Sequence, residues 1–148
     1  MIMARKMSRL SRTNLGFLLA KASQHWNELL YARFCDEGFP QVRPSFGIIL
    51  IPLFEEDGLR LGELAQRAKI SKQTMTTMIR LVEKAALVTT RADPEDGRAT
   101  RVYLTEKSRR FRPVAERVLA ELEGLATRVE GRERLDQVRA WLRGFVGL

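Results

Sequence analysis

The chain has 148 residues, 45% of them hydrophobic, which suits one domain or one tightly joined domain pair with a real core and argues against global disorder. Lysine and arginine number 26 against 18 acids, a formal net charge of +8 with a sequence pI of about 10.4, and this points to a polyanionic partner. A single cysteine, Cys35, and a single histidine, His25, exclude an intrachain disulfide framework and the common zinc sites. No metal or other cofactor is expected, and the cysteine usage fits a reducing cytosol. No apolar run approaches the roughly 18 residues that a membrane span needs. The segment from Met1 to Arg12 carries Arg5, Lys6, Arg9 and Arg12 without the apolar stretch of a secretory signal, so it reads as a basic arm on a cytoplasmic protein.

From Thr13 to Glu37 the apolar residues Leu15, Leu18, Leu19, Ala22, Trp26 and Leu29 recur at helical spacing, with Thr13 or Asn14 as the cap and Gly38 and Pro40 as the stop. The helix is long for a small globule, which suggests that its second face is used elsewhere. Pro44-Ser45 opens a second helix running to about Glu55, apolar nearly all round and so expected to be buried, with Pro52 marking a distorted last turn. After the turn signal Asp57-Gly58 comes a short helix, Leu61 to Ala68. Lys69-Ile70 form a brief turn, and Ser71 caps the next helix, which extends to about Ala86 on a stripe of Met75, Met78, Ile79, Val82 and Ala86. Its other face carries Lys72, Gln73, Thr76, Thr77, Arg80 and Lys84.

Periodicity then switches. Val88 to Arg91 and Arg101 to Leu104 are rich in β-formers, and Pro94 and Asp96-Gly97 between them give a hairpin with a projecting loop. Thr105 caps a long helical region in which Pro113 predicts a kink or a delayed start, Gly131 a break, and Leu135 to Val146 a final helix. The expected architecture is mainly α with a small β-hairpin wing (α+β). It comprises an arm and dimerisation helix over 1–40, a winged helix-turn-helix over 41–110, and C-terminal dimerisation helices over 111–148.

The informative unit is the short helix, tight turn, polar-faced helix and hairpin. Two short helices joined by such a turn form a helix-turn-helix, whose second helix can enter the major groove N-terminal end first. That end presents Ser71, Lys72, Gln73 and Thr74, followed by Thr76, Thr77 and Arg80. Glutamine can bond adenine, lysine can reach guanine, and threonine can offer both a hydroxyl and a methyl to a base edge. An ordinary solvated polar face would explain so many threonines less well, because threonine is a mediocre helix former. In the hairpin, Arg98 sits at the tip and Arg91 and Arg101 lie along the strands, where arginine can reach the minor groove or the backbone. Asp93, Glu95 and Asp96 could pair with them, one acid fixing the loop while Arg98 points outward.

These motifs resemble those of the MarR family. Leu61-Gly62-Glu63-Leu64-Ala65 is similar to the first helix of that family's helix-turn-helix. Thr74-Met75-Thr76, then Leu81 to Val88, is similar to its recognition helix and exit. Asp93 to Ala99, then Leu104-Thr105-Glu106, is similar to its wing and the start of its fifth helix. The resemblance implies a transcription regulator, most often a repressor, that binds double-stranded DNA as a homodimer with interleaved terminal helices. It also implies a small effector, often aromatic or phenolic, bound between the dimer region and the winged helix. Thr77 stands where the family usually has Arg, Gly97 where it often has a wing Arg, and Ala86 and Ser108 where it often has Gly.

The dimer also follows from the residues, because the terminal helices carry more apolar surface than one winged helix can cover. His25 reads as a packed, hydrogen-bonded histidine; if an effector pocket exists, His25, Trp26 and Phe46 are its candidate lining. Cys35 reads as a half-buried thiol in preference to an oxidant sensor. No nucleophile-base pair, phosphate loop or metal cluster supports catalysis. The competing reading is a winged-helix interaction protein that binds RNA or another protein.

Overall fold

The computed structural model describes residues 10–147, so the basic arm residues Arg5, Lys6 and Arg9 lie outside the described residues. Asn14 opens the first helix, α1 (Leu15–Asp36), its Oδ1 accepting the Phe17 N–H at 3.2 Å. Gly38 ends it in the left-handed region at φ +87°, with the Phe39 N–H donating to the Phe34 carbonyl at 2.8 Å. This is the stop expected of Gly38. A short 3-10 turn, Pro44–Phe46, then feeds α2 (Gly47–Glu55). Ile49, Leu50 and Leu53 of α2 are buried. Burial is not complete around the helix, however, since Ile51 stays 56% exposed at the rim of a cavity.

Next come α3 (Leu61–Ala68) and α4 (Lys72–Lys84), then the antiparallel strands β1 (Val88–Ala92) and β2 (Thr100–Leu104), paired from Val88 opposite Leu104 to Ala92 opposite Thr100. The chain returns through α5 (Glu106–Glu130) and α6 (Arg132–Val146). Thr105 caps α5 as expected, its Oγ1 accepting the Ser108 N–H at 3.3 Å. Pro113 neither delays nor divides that helix. Gly131, at φ +89°, separates α5 from α6.

The core sits beneath the hairpin, where Leu64, Met75, Ile79, Val82, Leu87 and Val102 are each no more than 3% exposed. Apart from Met78, which is half-buried, and Ala86, which is exposed, the stripe expected on α4 faces this core. A second region joins α1 to α5, with the Phe34 and Phe111 rings edge to face at 4.9 Å. Only Leu30 and Phe34 of α1 are buried, so the N-terminal half of that helix does not reach the core. For this reason His25 is exposed and not packed as its spacing suggested. Cys35 is half-buried.

Two further helix ends use the same left-handed device without glycine. Lys69, at φ 54°, closes α3 with the Ile70 N–H donating to the Ala65 carbonyl at 3.1 Å. Ala86, at φ 60°, closes α4 with the Leu87 N–H donating to the Val82 carbonyl at 3.1 Å. The left-handed region costs a residue with a Cβ roughly 1–2 kcal/mol. Surrounding bonds hold the second end in place: Thr105 Oγ1 donates to the Ala86 carbonyl at 2.7 Å, Lys107 Nζ to the Ala85 carbonyl at 3.1 Å, and Ser108 Oγ to the Leu87 carbonyl.

Candidate nucleic-acid interface

The turn at Lys69 and Ile70 sets the angle between α3 and α4, and Ser71 starts α4 by accepting the Thr74 N–H at 3.1 Å. Because Met75, Ile79 and Val82 fix one side of α4 against the core, its opposite side must face outward. Lys72, Gln73, Thr74, Thr77 and Arg80 are exposed, and Thr76 is half-buried. Lys72 and Thr76 follow one ridge at a spacing of one turn, Gln73 and Thr77 the next. The structure therefore brings the recognition-helix candidates together on one surface.

The wing is fixed by a buried carboxylate. Asp93 is 2% exposed and accepts Arg60 Nε at 2.6 Å, Arg101 Nε at 3.2 Å and the Glu95 N–H at 3.0 Å. Its carboxyl is held below its ordinary range, first by the Glu95 N–H, against the opposing effect of burial, and then by Arg101 and Arg60. Asp96 accepts the Arg98 N–H at 3.1 Å, which orders the tip. Arg98 is exposed at that tip, and its guanidinium makes no ion pair among the described residues.

The other two wing arginines are placed differently from the outward role expected of them. Arg101 is drawn inward by Asp93 and by the Gly58 carbonyl, to which its Nη1 donates at 2.8 Å. Arg91 is exposed but lies over the Tyr103 ring, 5.3 Å from its centroid. Between wing and helix runs an open polar cleft lined by Arg60, Gln66, Lys72, Thr76, Arg98 and Thr100. Gly62 forms part of its floor, and a Cβ there would lie 3.2 Å from Lys72 Cε. Sequence reasoning missed Arg60 and Gln66. The partner of Arg60 is 33 residues away, so no local pattern could reveal it.

The three residues suggested as lining for an effector pocket stand in different surroundings. His25 is exposed, Phe46 is buried in the core, and Trp26 lines a groove against α6. An apolar cavity lies between α1, α2 and α5, walled by Phe34, Val42, Leu50, Phe54, Phe111 and Leu119, with Arg43 at its edge. At about 90 Å³ it is smaller than the ~150 Å³ of an apolar cavity that admits benzene.

A helix-turn-helix with an exposed second helix and an anchored wing defines a winged helix-turn-helix protein. Residues 48–100 match the model of the MarR family. That family is one of DNA-binding transcription regulators and not of enzymes.

The fold of the wider chain is similar to solved structures. The CouR transcriptional repressor bound to a 23-mer DNA duplex shares 22% identity at a TM-score of 0.77, with 94% of this chain and 99% of that one covered. The PcaV transcriptional regulator from Streptomyces coelicolor, in complex with its natural ligand, shares 17% identity at 0.77, covering 95% and 98%. A MarR transcriptional regulator from Methanosarcina mazei Go1 shares 22% identity at 0.71, covering 89% and 94%. No curated protein matches the chain in sequence. Among the described residues no helix is long and apolar enough to cross a membrane.

Proposed function

We propose that this protein is a sequence-specific regulator of transcription that binds an imperfectly palindromic operator as a homodimer and acts as a repressor. The observation that carries the reading is the shared surface of Lys72, Gln73, Thr77 and Arg80 on α4, flanked by Arg98 on a wing rigidly tied to Asp93. Ser71, Lys72, Gln73, Thr74, Thr76 and Thr77 would enter the major groove, and Arg98 the adjoining minor groove or backbone. Arg101 would act through Asp93 as a wing anchor, and Arg91 at most on the backbone.

Dimerisation over the terminal segments 1–40 and 111–148 is supported by what the protomer leaves uncovered. Leu15, Phe17 and Leu18 on α1, Val129 on α5, and Trp141 and Phe145 on α6 are all exposed, and α6 has no buried residue. An apolar surface of that extent on three neighbouring helices is a liability in a monomer. The occupant that fits is the same surface of a second copy, related by a two-fold axis. That arrangement sets two recognition helices about 34 Å apart, one turn of duplex.

A small apolar or aromatic effector would enlarge the cavity between α1, α2 and α5, which joins the dimer helices to the winged helix. The ligand-bound state of the similar PcaV regulator supports this part of the reading, as the duplex-bound CouR supports the DNA part.

The test is a comparison of the wild-type protein with a Lys72→Ala, Gln73→Ala, Arg98→Ala triple variant on a duplex obtained by selection. Loss of duplex binding with fold and dimer intact supports the reading. Unchanged binding contradicts it and favours an RNA- or protein-binding module.

A further inference from the structure

The threonine hydroxyls on the recognition helix are already occupied. Thr76 Oγ1 donates to the Lys72 carbonyl at 2.8 Å, and Thr77 Oγ1 donates to the Gln73 carbonyl at 3.1 Å. The Thr74 hydroxyl is paired with that of Ser71 at 2.8 Å. Each bond of the first kind turns the hydroxyl back along the helix onto the preceding turn. A threonine has only a hydroxyl and a methyl beyond Cβ, so the methyl is the group left facing outward. The hydroxyl proton is spent inside the helix and is not free to be given to guanine O6 or N7. What each of these two positions offers a base edge is a methyl group beside a hydroxyl oxygen that can still accept but no longer donate.

The apolar feature of a major groove is the 5-methyl group of thymine. We infer that Thr76 and Thr77 recognise the half-site through methyl-to-methyl contact with thymine, making them specificity-determining residues for a thymine-bearing operator. Lys72 and Gln73, one turn earlier on the same ridges, supply the polar contacts beside them.

This inference rests on the DNA-binding reading above. Its test uses a duplex selected by the wild-type protein, with deoxyuridine substituted for thymine one position at a time and symmetrically in both half-sites. Deoxyuridine keeps every hydrogen-bonding group and removes only the methyl. Losing one buried methyl contact weakens binding about fourfold, hence about fifteenfold when both half-sites are changed. Thr76→Ser or Thr77→Ser, which retains the hydroxyl bond and loses the methyl, removes that discrimination at one position each. Thr76→Val or Thr77→Val, which retains the methyl, preserves it. Specific binding that is indifferent to deoxyuridine, or serine variants that still discriminate, overturns the methyl readout while leaving the regulator reading intact. Failure to select any duplex overturns both.

Discussion

Arg60 Nε lies 2.6 Å from the Asp93 carboxylate, joining the start of α3 to the base of the wing. The pair couples the start of α3 to the wing, the two parts of the proposed DNA face, because Asp93 simultaneously holds Arg101 and the Glu95 N–H. Replacing Asp93 by Asn would keep the size of the side chain and weaken all three interactions. The wing should loosen while α3 and α4 stay folded. Hydrogen exchange should quicken at the amides of Glu95 and Ala99 and stay unchanged at Met75 and Ile79, and duplex affinity should fall. Unaltered exchange in the wing would show that Asp93 does not anchor it.

The same carboxylate sets a pH dependence. Its native value is depressed below the ordinary 3.8, whereas in the unfolded chain it titrates at about 3.9. The unfolded state therefore binds the proton first as pH falls. The contribution of Asp93 is fully present above about pH 5 and is lost as pH drops through the depressed native value. In Asp93→Asn that part of the acid loss of stability should vanish. Urea midpoints measured from pH 7 down to pH 3 check the difference between the two proteins.

Ala86 sits at φ 60° in the helix-ending position that glycine fills best. Ala86→Gly removes the left-handed cost, and the extra freedom of unfolded glycine returns part of it. A net gain of about 0.5–1 kcal/mol is expected, seen as a rise in Tm without change in duplex affinity. A fall in Tm would mean that this turn is not strained.

Gly58 should not tolerate a side chain. It has φ +76°, and a Cβ would lie 2.8 Å from Tyr103 Cε1. Its carbonyl also holds Arg101. Gly58→Ala should cost roughly 1–3 kcal/mol in the urea-derived stability, with a lower midpoint and a similar slope.

On α6 the Trp141 and Phe145 rings stack at 5.1 Å, and both are exposed in the protomer. If they are buried between two copies, replacing both by Ala removes about 3 kcal/mol or more of association, over a hundredfold in the dimer dissociation constant. Sedimentation should show a shift from dimer to monomer. A monomeric wild-type protein would remove the basis for this expectation.

The helices and the hairpin were legible because their signals are local. Ser71, Thr105 and Gly38 act within four residues, and the apolar stripe of α4 repeats at helical spacing. The exposed polar side of α4 followed from its position opposite that stripe. Long-range pairing was not legible: nothing near Arg101 announces that Asp93 and Gly58 draw it inward. His25 was misplaced for a related reason. Its spacing marks an apolar face correctly, but the spacing cannot say that the N-terminal half of α1 extends beyond the protomer's own core. The left-handed turns at Lys69 and Ala86 lack the glycine that usually announces them.

The central claim is sequence-specific reading of duplex DNA by two symmetric recognition helices. Selection of the purified protein against a random duplex library at about physiological salt tests it most directly. The account predicts a palindromic site, rich in thymine, with half-sites one helical turn apart and with affinity falling steeply as salt rises. Recovery of unselected DNA alone, bound weakly and without half-site symmetry, would contradict it.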